Sequence, residues 1–263
     1  MSGILKSSDK TLDLLRNSSA CASGVSTIMA ALDIFQGKPK PTLGSSLGTS
    51  VSSNGNTITF SSIDDTITFT GTCTLDKTTV DPYSFDKNIQ NVIINGYESI
   101  GDYAFNDCKI LTTINLGNSV KTIGKSAFNK CKILTTINLG NSVKTIGAYA
   151  FNECTNLKTI NLGSVESIGD YAFNECKSLT TINLGDSVES IGDYAFAVCK
   201  SLTTISIGNS VTTIGERAFV ECTLTKVIIS DATAKILNEE WSSPSPVSYS
   251  FYGSRYPVRF ILP

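Results

Sequence analysis

The chain has 263 residues, a net charge of −2 and a pI near 5.3, with 41% hydrophobic and 17% charged residues. That composition supports a buried core, and an acidic balance without clustered Lys and Arg excludes the electrostatic footprint of a nucleic-acid or anionic-membrane binder. There is no histidine, which removes Ser-His and Cys-His nucleophile activation, His metal ligation and the usual neutral-pH proton shuttle.

In chain order, Asp9–Arg16 and Thr27–Phe35 read as short helices, the second stopped by Gly37 and Pro39. Ile28, Leu32 and Phe35 fall on one helical stripe, and Leu12 and Leu15 add apolar surface from the first helix. Helices this short are ordered only when packed on something, so residues 1–50 read as an anchoring or assembly segment, with a simple N-terminal cap extension as the alternative. The Gly/Ser-rich stretch over 41–56 reads as a linker. NTITFSSIDDTITFTGTCTL over 56–75 alternates apolar and polar residues around Asp64-Asp65, the pattern of a hairpin. Residues 56–82 are expected to cap the core that follows, as a hairpin or as one degenerate coil.

From residue 83 the sequence repeats. CKILTTINLGNSVKTIG runs from Cys108 to Gly124 and again, letter for letter, from Cys131 to Gly147. Ala-Phe pairs begin at Ala104, Ala127, Ala150, Ala172, Ala195 and Ala218, at spacings of 23, 23, 22, 23 and 23. One unit is short because GSVESI over 163–168 has lost one turn residue relative to GNSVKTI. A segment that serves equally well at neighbouring places is a building unit. A period of this size makes a solenoid, in which each coil buries its apolar side against its neighbours. Strands are expected at 89–94, 111–116, 134–139, 157–162, 179–184, 202–207 and 224–229. Within one unit Ile114 and Leu116 point into the core while Thr113 and Asn115 point out, and Phe128 fills the interior.

LTTINLGNSVKTIGKSAFNKC resembles the BspA-like, or Treponema-type, leucine-rich repeat, whose unit reads roughly L-x-x-I-x-L-x-x-x-V-x-x-I-G-x-x-A-F-x-x-C. The resemblance covers about residues 83–229. It implies a solenoid with short parallel strands on one face and irregular or 3₁₀ segments on the other. It also implies non-enzymatic binding of protein or glycan, often by surface adhesins of bacteria and protists, with relatives in phages and large viruses.

After the array, DATAKILNEEW over 231–241 reads as a short helix, and SYSFYGSRYPVRFIL repeats a blurred Phe and strand, so 230–263 is expected to be a C-terminal cap. No stretch has the roughly 18 apolar residues of a membrane span. Asp9, Asp13 and Arg16 interrupt any signal-peptide core, which leads to the expectation of a chain that stays in the cell or leaves as part of an assembled particle.

Cys108, Cys131, Cys154, Cys176, Cys199 and Cys222 recur in register without any C-x-x-C, and read as stacked core thiols rather than metal ligands or disulfides. The outward strand positions form a threonine column (Thr113, Thr136, Thr159, Thr181, Thr204) beside a column of Asn115, Asn138, Asn161, Asn183 and Ser206. This face reads either as the binding surface or as a structural ladder of amides bonded to one another. Tyr103, Tyr149, Tyr171 and Tyr194 form a row broken by Ser126 and Arg217, and read as cover for the core edge or as a contact surface. Asp102, Asp170, Asp193 and Glu216 stand a coil apart, without the cleft that paired catalytic carboxylates need, and read as a solvated face. The combined reading is a recognition or adhesion module with no catalytic site, cofactor or metal. The alternative is a fibre or decoration subunit of a virion or other large assembly, held through residues 1–50 as a homo-oligomer or on a larger body.

Overall fold

The computed structural model describes residues 49–53, 56–61, 66–72, 74–75, 90–229 and 259–261. The helices expected at 9–16, 27–35 and 231–241 lie outside the described residues, as do Leu12, Leu15, Ile28, Leu32 and Phe35.

The first strands are β1 (Thr49–Ser53), β2 (Asn56–Ser61), β3 (Thr66–Thr70) and β4 (Thr74–Leu75). β1–β2 and β2–β3 are antiparallel, so the alternating stretch from residue 56 folds back on itself in the register Thr57↔Thr70 to Ser61↔Thr66. β1 corrects the reading of 41–56 as linker throughout. Val51 sits among β-tolerant Thr and Ser, and its strand pairs with Ile58.

Five of the later coils supply a strand to one wall and a two-residue strand to a second wall. In chain order these are β5 (Asn91–Asn95) and β6 (Ser99–Ile100), β7 (Thr113–Asn115) and β8 (Thr122–Ile123), then β9 (Thr136–Asn138) and β10 (Thr145–Ile146). The short coil supplies only β11 (Ser167–Ile168). β12 (Thr181–Asn183) and β13 (Ser190–Ile191), β14 (Thr204–Ile207) and β15 (Thr213–Ile214), β16 (Lys226–Ile229) and β17 (Arg259–Ile261) complete the set. β3 pairs in parallel with β5 and β4 with β6, so these two strands already run in the register of a coil. β17 pairs in parallel with β16 where the blurred repeat is expected.

The second wall is one parallel ladder, β4-β6-β8-β10-β11-β13-β15. The irregular segments that the resemblance implies are the turns that follow this ladder in each coil, over 102–107, 125–130 and 148–153 for example, and none of the described residues is 3₁₀. The ladder itself has a local cause, since a β-branched Ile follows Thr or Ser at the same place in each coil (Ile100, Ile123, Ile146, Ile168, Ile191, Ile214) and is buried each time. The strand wall is not continuous. It runs β1-β2-β3-β5-β7-β9 and resumes as β12-β14-β16-β17. The strand expected at 157–162 is reduced to one bridge, Asn161↔Asn183.

Between the walls lie columns of like residues. Phe105, Phe128, Phe151, Phe173, Phe196 and Phe219 stack nearly parallel with centroids 5.1–5.4 Å apart, and Phe69 meets Phe105 edge-on at 6.2 Å. The ring spacing follows the rise between paired strands, about 4.8 Å. Period therefore becomes packing: a residue type placed every 23 positions meets its own kind in the next coil. One turn run in each coil holds two non-glycine residues at positive φ, among them Tyr149 (59°), Tyr171 (56°) and Val198 (59°). Left-handed backbone costs about 1–2 kcal/mol per residue, offset here by N–H bonds to the next coil such as Tyr149 to Asp170 and Val198 to Val220, both 2.8 Å.

Candidate functional site

The strand wall places Thr113 and Asn115 on β7, Thr136 and Asn138 on β9, Thr181 and Asn183 on β12, and Thr204 and Ser206 on β14. Their side chains point away from the buried Ile114, Ile137, Ile182 and Ile205 and are half-buried or exposed. Thr159 and Asn161 are exposed as well. The register pairs Thr with Thr and Asn with Asn or Ser in successive coils.

The asparagines are not a self-bonded amide ladder, which corrects one of the two readings of this face. Each uses its Oδ1 locally: Asn115 accepts from the Gly117 N–H, Asn138 from Gly140, Asn161 from Gly163 and Asn183 from Gly185, at 2.9–3.0 Å. The bond closes the turn leaving the strand, and Gly117, Gly140 and Gly185 then adopt φ of 63–68°. With the carbonyl committed, the amide Nδ2 donors remain outward beside the Thr hydroxyls. The two columns carry no charge between Asn91 and Lys226, and the exposed Lys158 stands beside Thr159.

A true amide ladder exists elsewhere, and the sequence reading missed it. Asn129 Nδ2 donates to Asn106 Oδ1, Asn152 to Asn129 and Asn174 to Asn152, each at 2.8 Å. The signal was in plain sight as an Asn after each of four Ala-Phe pairs, replaced by Ala197 and Val220 further on.

Tyr149, Tyr171 and Tyr194 stack face to face at 4.7 and 4.8 Å, and Arg217 ends the row over Tyr194 while donating to its hydroxyl at 2.6 Å. Ring faces used by one another leave edges and hydroxyls outward, so the row covers the core edge. Burial, and then the neighbouring Tyr149 and Tyr194, hold the Tyr171 phenol above its ordinary value. The acidic column also has a structural use that its solvated appearance concealed. Asp102, Asp170 and Asp193 accept the backbone N–H of Lys125, Asp193 and Glu216 at 2.7–2.9 Å, tying coil to coil.

The six cysteines are buried free thiols. Cys131, Cys154, Cys176, Cys199 and Cys222 each donate Sγ–H to a Phe carbonyl one coil back, at 3.1–3.3 Å. Burial pushes the Cys154, Cys176 and Cys199 thiols well up, and a protonated buried thiol is a poor nucleophile. Folded protein is therefore expected to react slowly with a thiol reagent, and guanidinium to release these cysteines at once without reductant. Fast labelling of the folded chain counts against this placement. Among the described residues no group of three or more Cys, Asp or Glu is arranged to hold a metal ion, and no helix is long and apolar enough to cross a membrane.

The sequence matches the BspA type leucine rich repeat region in six copies, over residues 77–184 and 166–249, together well over half of the chain. The chain belongs to this family. No curated protein matches it. Among solved structures, a leucine rich cell surface protein of Faecalibacterium prausnitzii is 30% identical with a TM-score of 0.52, over 69% of this chain and 48% of its own. The BspA-type chain thus spans about half the length of that protein. The leucine-rich repeat protein of T. pallidum is 23% identical with a TM-score of 0.49, over 69% and 86%. One from Eubacterium ventriosum is 25% identical with a TM-score of 0.46, over 70% and 45%.

Proposed function

We propose that this chain is a non-catalytic recognition module that binds a protein or glycan on its Thr/Asn strand face. The observation that carries the reading is the division of labour in each asparagine. Oδ1 holds the turn, so the face keeps a column of Nδ2 donors and hydroxyls whose bonds are available to a ligand. The cell-surface description of the Faecalibacterium protein supports the same reading. Asn138→Asp with Asn183→Asp keeps an oxygen for the Gly140 and Gly185 N–H groups and replaces the outward donors by acceptors. Screened on a glycan array and a panel of soluble proteins, the natural chain is expected to bind a ligand that this double variant holds at least about ten-fold more weakly, with unchanged circular dichroism. Undiminished binding by the variant removes the face from the reading.

Residues 1–48, with Leu12, Leu15, Ile28, Leu32 and Phe35, are the proposed attachment segment. A chain beginning at Thr49 retains β1 and is expected to stay folded and monomeric while the full chain shows a larger mass in solution. A monomeric full chain withdraws the proposal of homo-oligomerisation through this segment.

A further inference from the structure

We propose that the strand wall contains a joint between residues 134–139 and 157–162, set by the one turn residue that the short coil lacks, about which the two halves of the wall flex. Among the described residues no backbone hydrogen bond joins these two segments. Every other pair of adjacent coils keeps such bonds on this wall, for example Leu116 N–H to Asn138 and Leu184 N–H to Ser206 at 2.9 and 3.0 Å. The segment 157–162 leans instead on the following coil, through Thr180 N–H to Lys158 at 3.3 Å and the Asn161↔Asn183 bridge.

The geometry shows why. The second wall is unbroken here, with Thr145↔Ser167 and Ser167↔Ser190 in register. The entrance to the coil is also pinned, by Cys154 to the Phe128 carbonyl at 3.2 Å. Between these fixed points the turn has Gly163-Ser164 where the preceding coil has Gly140-Asn141-Ser142. It is drawn tight by Val165 N–H to Leu162 at 2.7 Å, with Gly163 at φ 37° against 68° for Gly140. A segment held at both ends by a shorter tether cannot keep register with the coils on both sides. Ile137 and Ile160, which flank the break, are each 7% exposed, whereas Ile114 and Ile205 in the same column are 0%. Unpaired strand edges above and a continuous ladder below make a hinge that opens on the strand side.

The test compares equivalent amides by NMR hydrogen exchange in the full chain. Leu139 N–H is expected to exchange at least about ten-fold faster than Leu116 and Leu184. Inserting Asn between Gly163 and Ser164 is expected to slow Leu139 to their level while leaving them unchanged. Spin labels on Thr113→Cys and Thr204→Cys, which span the joint, are expected to give a distance distribution that narrows in the insertion variant. Leu139 as protected as Leu116 in the natural chain overturns the joint. Fast exchange in both chains overturns its assignment to the missing turn residue, and equal distance distributions overturn the flexing.

Discussion

Phe151→Asp is expected to melt the centre of the array and to lower the transition of the whole solenoid. Phe151 is wholly buried, between Phe128 at 5.2 Å and Phe173 at 5.2 Å, with interplanar angles of 5° and 11°. Losing a core aromatic costs about 3–5 kcal/mol, and an unpaired charge in its place adds several more or forces the carboxyl to protonate. Two stacking contacts go at once, and since each coil is stabilised only by its neighbours the damage spreads to both sides. Thermal unfolding followed by circular dichroism checks this, with Phe151→Leu as the milder partner that keeps volume but loses the ring. An unshifted transition for the aspartate variant means that this column is not the core.

Asn152→Ala is expected to cost about 2–4 kcal/mol, although it removes an ordinary polar side chain. Asn152 is only 8% exposed and sits inside the chain of amides, donating to Asn129 and accepting from Asn174. Truncation leaves an acceptor on Asn129 and a donor on Asn174 without partners; both residues are half-buried, so each loss falls in the lower part of the range of about 1–3 kcal/mol for a buried unpaired group, and the emptied side-chain volume adds to it. Asn152→Asp separates the two losses. The new carboxylate still accepts from Asn174, but at neutral pH it opposes the Asn129 oxygen without a proton to share. Because the charged form is disfavoured in the fold, the pKa of the new group is raised relative to the unfolded chain. Its protonated form can donate to Asn129, so this variant is expected to regain stability as the pH falls towards 4. Chemical denaturation at pH 7 and pH 4 reads both effects, and a neutral Asn152→Ala excludes a stabilising ladder.

Much of this molecule is legible in the sequence because a solenoid turns sequence period directly into spatial neighbourhood. Leu111, Ile114, Val120, Ile123 and Phe128 are recognisable as core from one unit, and all are buried. The outward placement of Thr113 and Asn115 follows from the same alternation. Bond partners were less accessible. Asn115 and Asn129 both recur every coil, and periodicity alone does not say that one bonds to its own turn while the other bonds to its counterpart. The lost strand at 157–162 was hidden for a different reason. Its own residues, LKTINL, suit a strand as well as those of its neighbours, and the cause lies downstream in the length of the turn at Gly163. The two-residue strands of the second wall were obscured because two residues carry too little pattern to separate a strand from a turn.

The parallel register sets Thr113 against Thr136, Ile114 against Ile137 and Asn115 against Asn138, and it does so between blocks of identical sequence. Contact chemistry therefore does not tell the two blocks apart. A refolding chain that docks the second block where the first belongs forms the same contacts, and the enlarged loop adds only a slowly growing entropy cost. Selection of the native winding must come from coils that are unlike one another: β3 with its Phe69 at one end, β16 with Lys226 at the other, and the shortened turn of the 22-residue coil in the middle, which acts as an index mark against which a frame shift by one coil is detected.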